Sequence, residues 1–344
     1  MLRMARFGMC CVAWLLLATR LLAWSDGGHR VVALIAAAQL NPETLHQVVE
    51  ILRHHPRFEE DFVTPMPELV RGGSYEEQAR WLLSQAAVWP DMARTFPGKD
   101  RKYHHGSWHY VNLPLYLTDR DRKQLELKHT IDKKKHVPEH HKGRTHLAVG
   151  HTQLPTEDWF INHAFHANRD VFFAPETPPA ERAVALCWLI HLAGDSHQPL
   201  HATGLFTERR FVEGDRGGNE ISVTKSESLH ERWDGLLGHK VRWNDCQSRA
   251  AFLRHTPGAK TIGQKAAQDT EIEHWLEESF ELAQKYAYTA EVRAVIAEGE
   301  ATPTAPLDIV VLPKSYWHQA GEIADHQVLV AGYRLAAVLQ GSHP

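Results

Sequence analysis

His191-Leu192-Ala193-Gly194-Asp195 and His230-Glu231-Arg232-Trp233-Asp234 each set an imidazole four residues ahead of a carboxylate. On a helix, residues four apart share a face with Cβ atoms roughly 5–6 Å apart, so each pair can grip one ion. The first pair interrupts an otherwise apolar stretch. An unpaired carboxylate is costly there, so Asp195 needs a cation, and its two oxygens can bridge two metals. Pro199 disfavours a helical Gln198, so that helix stops and turns, letting His201 point back at a different ion. His197 is then expected in a supporting layer or exposed. One such pair is a weak signal, because a capped histidine and a surface acid are its ordinary meaning. Two pairs, the first extended to His201, are much stronger.

A third set of donors lies in Trp24-Ser25-Asp26-Gly27-Gly28-His29. Residues 1–23 have the three parts of a secretory signal: Arg3 and Arg6 at the start, a mostly apolar Met9 to Thr19, and the small Ala23 at the cut. Cleavage after Ala23 would make Trp24 the N-terminus, and its α-amino nitrogen and carbonyl oxygen could chelate a metal beside His29. Asp91 and His109, taken alone, are as readily structural as functional, and Arg94 reads by default as a helix-surface cation. Nitrogen and oxygen donors in such number suggest zinc, and with it a hydrolase acting on phosphate esters.

The elements that must position these residues read as mostly helical. Val31 to Leu40 suits a buried helix, and Asn41-Pro42-Glu43 supplies an N-cap, a first-turn proline and an acid for the next, which ends before Pro56. Glu76 to Ala87 repeats apolar residues at helical spacing. Pro178-Pro179 opens a helix over Ala180 to Asp195 that is apolar nearly all round and therefore central. Ser228 with Glu231 reads as a capping box for a helix carrying His230 to Leu237. Glu271 to Ala287 and Gly321 to Leu339 are two more helices. Strands are scarce, with Glu220 to Val223 a candidate for part of a short hairpin.

The chain has 344 residues, 38 Lys and Arg against 42 Asp and Glu, and a net charge of −4. Removing the leader takes away Arg3, Arg6 and Arg20 and no acid, so the mature domain, 24–344, is more acidic still. That balance argues against a broad basic face that holds nucleic acid, but not against nucleic acid as substrate, because bound metal ions are the largest local charges. Cys187 and Cys246 remain after cleavage; Cys187 reads as a buried thiol, and a bridge between the two is left open by sequence. The segment 119–151, with Lys133-Lys134-Lys135 and clustered histidines, reads as a solvated loop or insertion, or more sharply as a flap that greets a polyanion. No stretch after the leader approaches a membrane span. The expectation is a secreted or periplasmic protein with no stable membrane association.

Trp24 with His29, Trp89-Pro90-Asp91-Met92-Ala93-Arg94, Trp108-His109-Tyr110, His191-x3-Asp195-x5-His201, Gly214-Asp215-Arg216-Gly217-Gly218-Asn219, His230-x3-Asp234 and Ala331-Gly332-Tyr333-Arg334-Leu335-Ala336 occur in one order. In this the chain resembles the trinuclear-zinc, single-strand-specific nucleases and 3′-nucleotidases of the S-one/P-one type, from Trp24 to about the C-terminus. The resemblance implies an all-α fold: a single large helical domain of the zinc phospholipase C and single-strand nuclease type, with three Zn2+ in one cleft. One zinc would take Asp91, His109, His191 and Asp195; a close neighbour the Trp24 amine and carbonyl, His29 and the bridging Asp195; the third His201, His230 and Asp234. Arg94 would lie beside the scissile phosphate, and Tyr110 where the family stacks a base. Asn112 stands where well-known members carry an aspartate that reads the base edge, and an amide both donates and accepts where a carboxylate only accepts. The implied partners are single-stranded DNA or RNA and 3′-nucleotides, cut to 5′-nucleotides.

Two zincs roughly 3.5–4 Å apart can share a water and lower its pKa towards neutrality for in-line attack. Two rival readings remain. A zinc phospholipase C would need exposed apolar loops at the pocket mouth, and the polar segment 119–151 speaks against them. A non-catalytic metal-binding protein would need neither Arg94 nor a buried His-x-x-x-Asp helix.

Overall fold

The computed structural model describes residues 24–128, 159–238 and 242–341. The leader 1–23 and most of the basic, histidine-rich segment 119–151, from residue 129 on, lie outside the described residues.

Thirteen α-helices occur among the described residues: α1 (Asp26–Ala37), α2 (Pro42–Leu52), α3 (Glu68–Arg71), α4 (Tyr75–Met92), α5 (Asp119–Lys128), α6 (Ile161–Phe173), α7 (Pro179–Asp195), α8 (Leu229–Asp234), α9 (Trp243–His255), α10 (Ala259–Ala266), α11 (Ile272–Leu282), α12 (Ala290–Gly299) and α13 (Lys314–Leu339). The fold is all-α, as expected. Local chemistry sets several boundaries. The Asn41 side chain caps α2 by accepting from the Thr44 amide at 2.8 Å. Ser228 and Glu231 close the reciprocal capping box of α8, and Ser74 with Glu77 makes another at the start of α4.

Some boundaries differ from the sequence expectation. The first helix begins at Asp26, so His29 is already helical, and α4 runs past Ala87 to Met92 with Pro90 inside its last turn. A proline that late removes one donor, and the helix tightens into a 3-10 turn at Ala93–Thr95 rather than ending. The helix carrying His230 stops at Asp234, with a 3-10 turn Gly235–Leu237 after it. The last helix starts at Lys314, because Tyr316 and Ala320 bury in a core that its polar first turns conceal in sequence. Glu220 to Val223 enters a minimal antiparallel turn in which one isolated bridge joins Ser222 to Ser228 and Val223 N donates to Glu227 O at 3.0 Å. The two strands among the described residues, β1 (Leu113–Tyr116) and β2 (Thr203–Phe206), pair in parallel with Leu113 opposite Thr203. Cys187 and Cys246 are both buried free thiols.

Two cores result. In the larger, α7 packs against α4, α6 and α13, and α1 lies against α4 and α13. Trp188, Leu189 and Ile190 of α7 are fully buried, each such side chain contributing roughly 1.5–3 kcal/mol. A smaller core gathers Leu200, Leu205, Leu229, Trp233 and Tyr288 around β2, α8 and the turn after α11. The candidate ligands lie on elements of both cores. No helix among the described residues is long and apolar enough to cross a membrane.

Candidate metal centre

α7 delivers His191 and Asp195 on one face, both fully buried. α1 lays His29 flat on His191, ring centroids 4.0 Å apart. This stack dictates Gly194: a Cβ there would stand 2.7 Å from His29 Nδ1. α4 contributes Asp91 from its last turn, and a 3-10 turn, Gly106–His109, contributes His109. The chain after His109 is pinned to the chain after α7, since Val111 N donates to His201 O at 2.8 Å and β1 then pairs with β2. α8 supplies His230 and Asp234, and its end is tied to the start of the described chain by Ser25 N donating to Asp234 O at 3.1 Å.

The donors converge. Asp195 Oδ2 lies 3.0 Å from His109 Nδ1 and 3.0 Å from His191 Nε2, which are 2.9 Å from each other. Asp91 Oδ1 lies 3.9 Å from His109 Nδ1 and 4.0 Å from His191 Nε2. The other Asp195 oxygen, Oδ1, faces His29 Nε2 at 3.3 Å and His201 Nδ1 at 3.7 Å. Asp234 turns one oxygen to His201 Nε2 at 3.6 Å and the other to His230 Nε2 at 3.3 Å. Three compact donor groups are thus present among the described residues: His29, Asp91 and His191; His109, His191 and Asp195; His201, His230 and Asp234. Trp24 is fully buried, its Cβ against the backbone of Gly28, one turn before His29.

Whether cations fit can be read from the protons. His191 Nδ1 donates to Ala87 O, His201 Nδ1 to His109 O and His230 Nδ1 to Gly217 O, each at 2.7 Å. In the neutral ring this leaves a lone pair on each Nε2, aimed at a carboxylate oxygen. Two acceptors facing each other at these distances repel unless a cation sits between them. The outer carbonyls also fix each ring's orientation and tautomer, as metal-ligating histidines require. Asp195 Oδ1, Asp234 Oδ2, His109 Nε2, His201 Nε2 and both His29 nitrogens are buried without a hydrogen-bond partner. Orphaned polar atoms of this kind are rare in a native interior. The donor set suits metal.

The electrostatics agree. Burial pushes the His201 imidazole down, yet Asp195 and Asp234 together hold it up at about 9. His191 is likewise raised against burial by Asp195 and Asp91. His109 is driven down to about 3 by burial and by the Arg94 guanidinium. Asp195 sits well below the usual carboxylate range despite burial, because His191 and His201 favour its charge. The carboxylates demand positive charge, and without metal the imidazoles must carry it.

The site opens into a cavity lined by Arg94, His109, Tyr110, Asn112, His201, Arg216, Gly217, Asn219 and His230, among others. Arg94 is no surface cation; its Nη2 is 2.7 Å from Asp91 Oδ1, where it can both steady that carboxylate and reach an anion in the cavity. Tyr110 and Asn112 line the same space. His197 is buried in a supporting layer: Nδ1 donates to Ala193 O at 2.8 Å, and Nε2 accepts from Arg334 Nη1 at 3.0 Å. Arg334 is itself clamped by both oxygens of Glu278 at 2.7 and 2.8 Å.

Sequence reasoning passed over several contributors. Gln198 Nε2 donates to Asp234 Oδ1 at 2.7 Å, and its own Oε1 accepts from the Leu200 amide, fixing the turn that aims His201. Gly217 supplies the carbonyl that orients His230, and Arg216 beside it faces the cavity. The glycine-rich run was visible as a motif, and its alternation of charged and small residues was the available signal.

A family model described as S1/P1 Nuclease matches residues 24–343 of this chain. The chain is similar to Endonuclease 5 of Arabidopsis thaliana, at 25% identity over 345 residues, covering 92% of this chain and 90% of that protein. It is also similar to Endonuclease 3 of the same plant, at 24% identity with 78% and 76% covered, and to Endonuclease 2, at 25% identity with 67% and 61% covered.

Proposed function

The chain belongs to the S1/P1 nuclease family, and on that premise we propose that it is a zinc-dependent nuclease that cuts single-stranded DNA and RNA to 5′-nucleotides and removes 3′-phosphates from nucleotides. The observation that carries this reading is the buried set of inward-facing lone pairs and carboxylates at the base of a cavity walled by Arg94, Tyr110 and Asn112. Asp91, His109, His191 and Asp195 would hold one zinc. The Trp24 amine and carbonyl, His29 and Asp195 would hold a second, once a leader is cut after Ala23 and the protein is secreted or periplasmic. His201, His230 and Asp234 would hold the third. Bound there, zinc supplies a water acidified towards neutrality and positive charge at the leaving oxygen.

The chain's own residues do the rest. The Arg94 guanidinium can donate to non-bridging phosphate oxygens and neutralise charge that builds on them, while its contact with Asp91 fixes its direction. The Tyr110 ring offers a stacking face for one base, which favours single strands because a base must leave its stack to reach it. Asn112 presents both a donor and an acceptor to the base edge. The site's local positive charge lets an acidic protein accept an anion.

The test is to incubate zinc-loaded protein separately with single-stranded DNA, a 3′-nucleotide and phosphatidylcholine, beside a buffer blank. Products ending in 5′-phosphate, abolished by a chelator and restored by zinc, are expected. Release of phosphocholine alone would transfer the site to lipid esters, and zinc uptake with no turnover would leave only metal binding.

A further inference from the structure

Arg216 occupies an unusual place. Among the described residues it is the only non-glycine with a left-handed backbone, at φ 58°. That conformation disfavours side chains with a Cβ. The surrounding loop enforces it. Asp215 Oδ1 accepts from Leu205 N at 2.8 Å, and Oδ2 accepts from Gly218 N at 3.0 Å and from the Tyr288 hydroxyl at 2.7 Å. On the other side, Gly217 O holds His230, and a Cβ at Gly217 would stand 2.4 Å from Leu200 O. The Asn219 amide folds back to donate to Arg216 O at 2.7 Å. Asp215, Gly217 and Gly218 are buried, whereas Arg216 is exposed and lines the cavity together with Asn219.

Its charge is also uncommitted. Arg94, the other arginine of the cavity, is held on Asp91, whereas no carboxylate among the described residues pairs with Arg216. Arg216 and Tyr110 line the same cavity. The cavity therefore has two cationic walls on separate elements. Arg94 lies on Asp91, and Arg216 lies on the loop whose Gly217 carbonyl accepts from His230.

Resting on the nuclease reading, we propose that Arg216 is a second-phosphate contact: it binds the 5′-phosphate of the nucleotide whose 3′-phosphate is attacked and whose base lies on Tyr110. A nucleotide with its 3′-phosphate at the buried donors and its base in the cavity has one other anionic group, and Arg216 is the unpaired cation there to receive it. The enzyme then favours an internal phosphodiester of a strand, or a 3′,5′-bisphosphate, over a 3′-monophosphate. The clamped turn fixes the point from which the Arg216 side chain leaves the backbone, so less freedom is lost there on binding.

The experiment compares adenosine 3′,5′-bisphosphate with adenosine 3′-monophosphate for the native protein, Arg216→Asn and Arg216→Lys. Asparagine tolerates the left-handed backbone, so the first variant removes charge without refolding the turn. Native protein is expected to favour the bisphosphate by about tenfold in kcat/KM, through KM, as for a charged hydrogen bond. Arg216→Asn should erase that preference while keeping full metal content, and Arg216→Lys should keep part of it. Titration calorimetry with the slowly hydrolysed 3′-phosphorothioates of the same pair, at two salt concentrations, reads the contact before turnover. Loss of equal size on both substrates would overturn the proposal and make Arg216 a base or scaffold contact, and an intact preference in Arg216→Asn would overturn it outright. If native protein cleaves neither these compounds nor single-stranded DNA, the nuclease reading fails, while the calorimetry still decides whether Arg216 senses the second phosphate.

Discussion

Asp195→Asn tests the centre of the site. The side chain is fully buried, one oxygen faces His109 and His191 at 3.0 Å, and the other faces His29 at 3.3 Å and His201 at 3.7 Å. An amide of the same shape keeps one acceptor, turns the other atom into a donor, and removes a negative charge. Residues that merely orient a metal ligand cost about 10–100-fold in affinity when changed. Asp195 touches donors of more than one group directly, so about 100-fold at each of two ions is a lower bound, or about 2.7 kcal/mol apiece. The expected result is loss of about two zinc ions per chain, measured by elemental mass spectrometry after dialysis, with activity falling further than for any other carboxylate replacement. Asp234→Asn is the control, because the only candidate ligands its oxygens face are His201 and His230 of one group, and it should release one ion. Far-ultraviolet circular dichroism should remain helical in both. An Asp195→Asn protein with full zinc and near-native turnover would refute the bridging role.

Arg94→Ala should lower kcat by about 100-fold with zinc content unchanged, as for loss of one preorganised donor, and Arg94→Lys should recover only part of it; a change in KM alone would reassign Arg94 to ground-state binding. An extra Met before Trp24 in protein made without a leader should convert the chelating amine to an amide, lose one zinc and most activity, and regain both when a protease exposes Trp24; full zinc and activity in the extended form would exclude the N-terminus as a ligand. Stripping metal should make stability fall with rising pH above about 6.5. His201 is held up at about 9 from an ordinary 6.5, so it adds stability that is complete below about pH 6.5 and lost as pH rises through about 9. The melting temperature of chelated protein should therefore fall across that window, and zinc should flatten the slope; a flat profile without metal would show that His201 stays neutral.

The sequence alone determined what depends on neighbours along the chain. Helical periodicity put His191 with Asp195 and His230 with Asp234 on common faces, Pro199 ended α7 so that His201 could turn, and Asn41 and the Ser228–Glu231 box marked two helix starts, all through contacts within a turn or two. The ordered set of motifs carried the family and the candidate ligands with it. Tertiary structure decided everything that joins distant segments. Asp91 and His109 read as ordinary residues until the packing of α4 on α7 and the pairing of β1 with β2 brought them within 4.0 Å of His191. The same packing turned Arg94 from a surface cation into Asp91's partner, and buried His197 under Arg334. Arg216 is the clearest case. Its residue type is visible in the sequence, but its left-handed backbone and its place in the cavity arise from Asp215, Tyr288 and Leu200, which only the folded chain sets around it. Local rules act through bonds and single turns, whereas an active site is a coincidence of separate elements. That coincidence is fixed by how their buried faces fit, a property of the whole core that no short stretch of sequence contains.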